Sequence, residues 1–137
     1  MQTDFSDANE RHWHDAELLL EKERFANADH LYGFSAECGL KALMRAFGMP
    51  CNEAGSPQES RDWKHIDKLS VRYEAYRSGG EFADYRCDDV DAFSNWKVSD
   101  RYAEQSGFTV EYVAAHRSAA KEIRSLINTA RKRGIIE

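Results

Sequence analysis

Three charged residues, Glu37, Lys41 and Arg45, recur four apart inside the most apolar stretch of this chain, DHLYGFSAECGLKALMRAF from Asp29 to Phe47. On a helix that spacing puts them on one stripe, and His30 extends the polar seam toward the start. A charge on a buried helix must be paired, solvated at a cleft, or used. Glu37 precedes Lys41, the favourable order for an i, i+4 ion pair that fixes helix packing. Alternatively the pair, with His30 and Arg45, lines a groove between helices or protomers and takes an anionic ligand such as a nucleotide phosphate. Lys64-His65 can line a second cleft, beside a long loop. His12 and His14 are two apart and point to different sides of a helix. His116, next to Arg117, reads as exposed. No His, Cys, Asp or Glu grouping has metal-site spacing, so neither a metal nor a cofactor is expected. Cys38 falls within the apolar stretch and reads as a small core residue, not a nucleophile.

The elements that must hold these residues are helices. Ser6 or Asp7 can cap a first helix running to about Phe25, with Trp13, Ala16, Leu20 and Arg24 at helical spacing. Asn27 and Asp29 are cap-type residues, so the second helix is expected to begin there. It runs to Phe47, about 28 Å at ~1.5 Å per residue. Being apolar on most sides, it belongs in the middle of a bundle. Gly48 and Pro50 stop it. Met49 to Arg61 is a long polar loop, expected to be mobile. A third helix is expected over Trp63–Arg77, with Ile66, Leu69, Tyr73 and Tyr76 inward and Gly79-Gly80 at its end. From Glu81 to Gly107 the apolar spacing is uneven and suggests one or two short helices packed on the bundle. Thr109 caps a final helix to about Arg133, buried along Val113, Ala120, Ile123, Ile127 and Ala130. No strand alternation is present. The pattern predicts an all-α, mostly up-and-down bundle of four main helices plus short helices, as one domain over residues 1–137.

Composition narrows the function classes. A net charge of −5 gives no global attraction to nucleic acid, although a local basic patch can still supply one. No apolar run approaches the ~20 residues of a membrane span. The polar, acidic start MQTDFSDANERHW is not a secretory signal. Three irregularly spaced cysteines make no disulfide framework, and a cytoplasmic protein is expected.

HWHDAELLL (His12–Leu20) in the opening helix, ADHLYGFSAECGLKALM (Ala28–Met44) in the central one, and WKVSDRY (Trp96–Tyr102) before the last together resemble a HEPN domain, the small helical module of prokaryotic toxin–antitoxin and nucleotidyltransferase-associated proteins. KHI, Lys64 to Ile66, fits the start of the third helix. The resemblance implies a bundle that commonly dimerises through helix faces. It also implies one of two roles. One is a metal-independent ribonuclease of toxin–antitoxin or defence type, with an arginine and a histidine four to six residues apart and an antitoxin as partner. The other is a non-catalytic module that binds a nucleotide, RNA or a partner enzyme such as a nucleotidyltransferase.

Metal-independent RNA cleavage needs a proton acceptor, a proton donor and a cation on the phosphate, roles that histidine and arginine fill at neutral pH. Arg24 and His30, in RFANADH, have the family spacing but span the junction of the first two helices. Arg101-Tyr102 matches the start of the family's late motif. The following Ser106, Gly107 and Phe108 supply no base, so there the chemistry is lost and Arg101 is left to bind phosphate or to pair with Asp100 or Glu104. The favoured expectation is therefore a non-catalytic binding module, with Glu37, Lys41, Arg45, His65, Arg101 and Tyr102 as binding residues. The alternative is a ribonuclease using Arg24 and His30.

Overall fold

The computed structural model describes residues 1–137 and is all-α, as expected, with four helices and a set of short 3-10 turns. Helix α1 spans Phe5–Glu21, α2 Phe25–Ala46, α3 Ser70–Arg77 and α4 Val110–Lys132. Short 3-10 turns occupy Ser60–Trp63, Ile66–Lys68, Val90–Asn95, Val98–Tyr102 and Gln105–Gly107. No helix is long and apolar enough to cross a membrane.

Helix α2 is the axis of the bundle. Ala28, Tyr32, Ala36, Leu40, Leu43 and Met44 are sealed from solvent and meet Trp13 and Ala16 of α1 and Ala120, Ile123 and Ile127 of α4 in one core. Gly39 lets α1 and α4 approach: a Cβ there would stand 2.6 Å from Ile123 and 2.8 Å from Asn9. The second glycine of the helix, Gly33, accommodates an indole. A Cβ at Gly33 would lie 2.1 Å from Nε1 of Trp96, which is fully buried against it.

Several boundaries differ from the sequence expectation. Asp4, not Ser6 or Asp7, caps α1: its side chain accepts from the Asp7 backbone N–H. The α1–α2 turn is only Lys22–Arg24, with Glu23 in the left-handed region at φ 60°. Helix α2 thus begins one turn earlier than the cap-type residues suggested. Asp29 lies inside it, buried, and caps nothing. The third helix is broken. Two 3-10 turns precede Ser70, and Lys64-His65 between them is extended.

The expected loop after α2 is present and carries its own hydrogen bonds. Cys51 pairs with Pro57 in a β-bridge, Asn52 Oδ1 accepts from the backbone of Ala54 and Ser56, and the Thr3 N–H donates to Ala54 O at 2.7 Å. From 90 to 107 the chain is three 3-10 turns, anchored by fully buried Phe93 and Trp96.

Candidate functional site

The Glu37–Lys41 pair forms as its spacing predicts. Lys41 Nζ donates to Glu37 Oε2 at 3.1 Å, with side chains only 4% and 11% exposed. The sequence did not foretell the third member. His65 Nδ1 meets Glu37 Oε1 at 2.9 Å, from the extended connector between two 3-10 turns. The two carboxylate oxygens are thereby divided, one to the ammonium and one to the imidazole. The His65 side chain is 44% exposed, and its Nε2 has no partner within the protein. A carboxylate that accepts from Nδ1–H leaves the Nε2 lone pair free in the neutral ring. Of the readings the sequence left open, the pair takes the first, a buried ion pair, and Glu37 is in addition the inner support of a surface group.

Around this chain lies an aromatic cluster centred on Phe34. The rings of His30, Trp96, His12 and His65 have centroids 4.8, 5.4, 5.8 and 6.3 Å from it. His30 also stacks on Trp96 at 5.1 Å and 21°. Burial pushes the His30 imidazole below its ordinary value. The carboxylates of Asp100 and Asp29 oppose this, and the Arg101 guanidinium and the His65 imidazole add to it. Burial likewise lowers His12, aided by Arg11 and opposed by Asp15 and Glu37.

The free face of His65 opens on a cleft of about 330 Å³. One wall is Lys64, His65, Asp67 and Lys68; the other is Lys97, Val98 and Ser99. Lys64 and Lys68 make no ion pair, and Lys97 reaches Asp67 at 3.0 Å. Three ammonium groups thus face one carboxylate. Two large exposed aromatic residues belong to the segments forming these walls. Trp63, 55% exposed, immediately precedes Lys64, and Tyr102, 79% exposed, ends the turn that begins at Val98.

Arg101 is exposed and makes no ion pair with Asp100 or Glu104; its guanidinium lies over the Tyr102 ring, 4.8 Å from the centroid. Asp100 instead accepts from the Lys97 backbone N–H at 3.1 Å. Arg24 is exposed, makes no ion pair and is not among the charges bearing on His30. Arg45, at the far end of α2, lines a different groove formed with residues 2–7 and Ile135–Glu137. The structure therefore gathers His30, Glu37, Lys41 and His65 with Trp96, has Arg101 acting on His30, and leaves Arg24 and Arg45 outside.

His116 is corrected outright. Expected to be exposed, it is fully buried, with Nδ1 at 2.6 Å from Asp29 Oδ1 and Nε2 at 2.7 Å from Asn95 Oδ1 and 3.1 Å from Ala92 O. Both ring nitrogens face oxygen acceptors, which ties α2, α4 and the 90–95 turn together. Burial pushes the Asp29 carboxyl above its usual range, and the hydrogen bond from His116 pulls it down.

Lys68, Lys97, Ser99 and Trp63 were not anticipated. The i, i+4 spacing of Lys64 and Lys68 was visible, but their meeting with Lys97 depends on how the 3-10 turns pack. No group of three or more metal-ligating side chains is present. Comparison with protein-family models, curated proteins and solved structures finds no significant match to this chain.

Proposed function

We propose that this chain is a non-catalytic, HEPN-like binding module that holds a phosphate-bearing ligand, a nucleotide or an RNA strand, in the lysine-lined cleft beside His65. The observation that carries the reading is the local excess of cation there, in a chain whose net charge is −5. Phosphate oxygens match ammonium donors, and exposed rings such as Trp63 and Tyr102 suit base stacking beside a cationic groove. Binding of labelled single-stranded RNA, read by fluorescence anisotropy, tests it. Lys64→Ala/Lys68→Ala should weaken binding and flatten its salt dependence by about two counterions. A folded wild type that binds neither RNA nor nucleotide at low salt would sink the idea.

A homodimer, with or without a partner enzyme such as a nucleotidyltransferase, belongs to the same reading. Leu18 and Val110, each more than half exposed, line a groove between α1 and α4 that a second copy would cover. Light scattering should give twice the chain mass, and Leu18→Glu should return it to one.

One observation favours the ribonuclease alternative. His30 and His65 flank the same two rings, and the charge of Arg101 acts on His30. Incubation with RNA in EDTA, beside His30→Ala, His65→Ala and Arg101→Ala, decides between the readings. Cleavage abolished by a histidine variant would replace the binding module with an enzyme.

A further inference from the structure

We propose that His65 makes the cleft select ribose: its Nε2 accepts a hydrogen bond from a 2′-hydroxyl of the bound strand, so RNA is held in preference to DNA. This rests on the cleft being the ligand site of the proposed function.

The case comes from sorting the cleft's polar groups by role. Lys64, Lys68 and Lys97 are donors only. They suit phosphate, which both nucleic acids carry, and cannot tell one from the other. The Asp67 carboxylate is an acceptor, but it is almost buried and engaged by Lys97. The Ser99 hydroxyl can donate or accept and so imposes nothing. His65 is different, because its role is set from behind. Glu37 takes Nδ1 at 2.9 Å, and Lys41 holds the other carboxylate oxygen at 3.1 Å so that Glu37 cannot turn away. A ring fixed through Nδ1 presents Nε2 as an acceptor in its neutral form. A groove of donors with one fixed acceptor fits a ligand that offers phosphate acceptors and a nearby hydroxyl donor. The 2′-hydroxyl is the group that provides this in RNA and is missing from DNA.

The test compares oligouridylate and oligodeoxyuridylate of about ten nucleotides, a length suited to one single-strand site. Both carry the same 5′ fluorophore and are titrated by anisotropy at about pH 8. The wild type is expected to bind the ribose strand about three- to tenfold tighter, the return from one neutral hydrogen bond. His65→Ala should bring the ratio to about one, leaving deoxyribose binding within about twofold. Lys64→Ala should weaken both strands equally, and Ser99→Ala should leave the preference in place. Equal affinities in the wild type, a preference that survives His65→Ala, or one that vanishes in Ser99→Ala would each overturn the assignment to His65. If a folded wild type binds neither strand, the proposed function itself falls. The two failures are therefore distinct.

Discussion

Replacing Gly33 with alanine sets two effects of opposite sign against each other. In a helix interior, alanine gains about 1 kcal/mol over glycine. The new methyl, however, would stand 2.1, 2.2 and 2.7 Å from Nε1, Cε2 and Cζ2 of Trp96. Relief to an ordinary carbon contact needs roughly 1.5 Å of movement. The indole has little room for it, with the His30 and Phe34 rings 5.1 and 5.4 Å away. Overpacking of this kind costs about 1–3 kcal/mol when the core yields. Complete expulsion of the indole would forfeit ~200 Å² of burial, about 5 kcal/mol. A required shift of about 1.5 Å puts the overpacking loss at the top of its range, about 3 kcal/mol, so after the helical gain of about 1 kcal/mol the net destabilisation should run from about 2 kcal/mol to about 4 kcal/mol on full expulsion. Urea unfolding followed by far-ultraviolet circular dichroism would measure it, with an unchanged m value showing that the comparison is sound. Lys97 follows Trp96 directly and Ser99 comes three residues after it, so RNA affinity should fall as well. Stability equal to or above wild type would refute the reasoning, since it would mean that the indole does not rest on Gly33.

Lys41→Met should cost about 3 kcal/mol by leaving Glu37 buried without its cation. Glu37→Gln/Lys41→Met should cost less than the two single changes summed, and a double-mutant cycle in urea would expose the coupling. The Arg117 guanidinium holds the Glu17 carboxyl below its usual range, with burial opposing and the Tyr32 hydroxyl assisting. A depressed carboxylate contributes stability above its unfolded value that is lost as pH falls through the folded one. The stability gap between wild type and Glu17→Gln should therefore narrow from about pH 5 toward pH 3, as thermal melts would report. Burial pushes the Cys38 thiol up to about 12 and also raises Cys51 and Cys87. At about pH 8 the native protein should react with a disulfide reagent far more slowly than the urea-unfolded chain does.

The helical architecture was legible because the apolar periodicity of the long helices is strong. All five residues expected to form the buried stripe of α4 are buried. The start of α2 was misplaced because Arg24, its N-cap, makes no side-chain capping bond, whereas Asn27 and Asp29 look like caps. His116 carried a readable signal that was overlooked. It stands three residues after Val113 and four before Ala120, squarely on the buried stripe. Its partner Asp29 is 87 positions away, and no local pattern announces that pairing. The Glu37–Lys41 pair was legible from spacing alone, yet His65 lies 28 positions beyond Glu37 and reaches it only through tertiary packing. The cleft was half visible as Lys64-His65. Its opposite wall, Lys97 to Ser99, is set by the buried indole that precedes it.

The three-residue turn between α1 and α2 has a consequence for the order of assembly. These two helices form a local hairpin whose contacts close almost no loop, so they can condense early. Helix α4 can dock on α2 only after the whole stretch from Phe47 to Thr109 has been gathered in, at a larger entropic cost. Both walls of the lysine cleft lie in that stretch, and the Asp29–His116 bond closes only when α4 arrives. The cleft therefore depends on long-range packing that the α1–α2 hairpin does not need, and a bound ligand should slow the unfolding of that part of the molecule. Amide hydrogen exchange would show this as protection gained along 64–68, 96–102 and α4, more than along the α1–α2 hairpin.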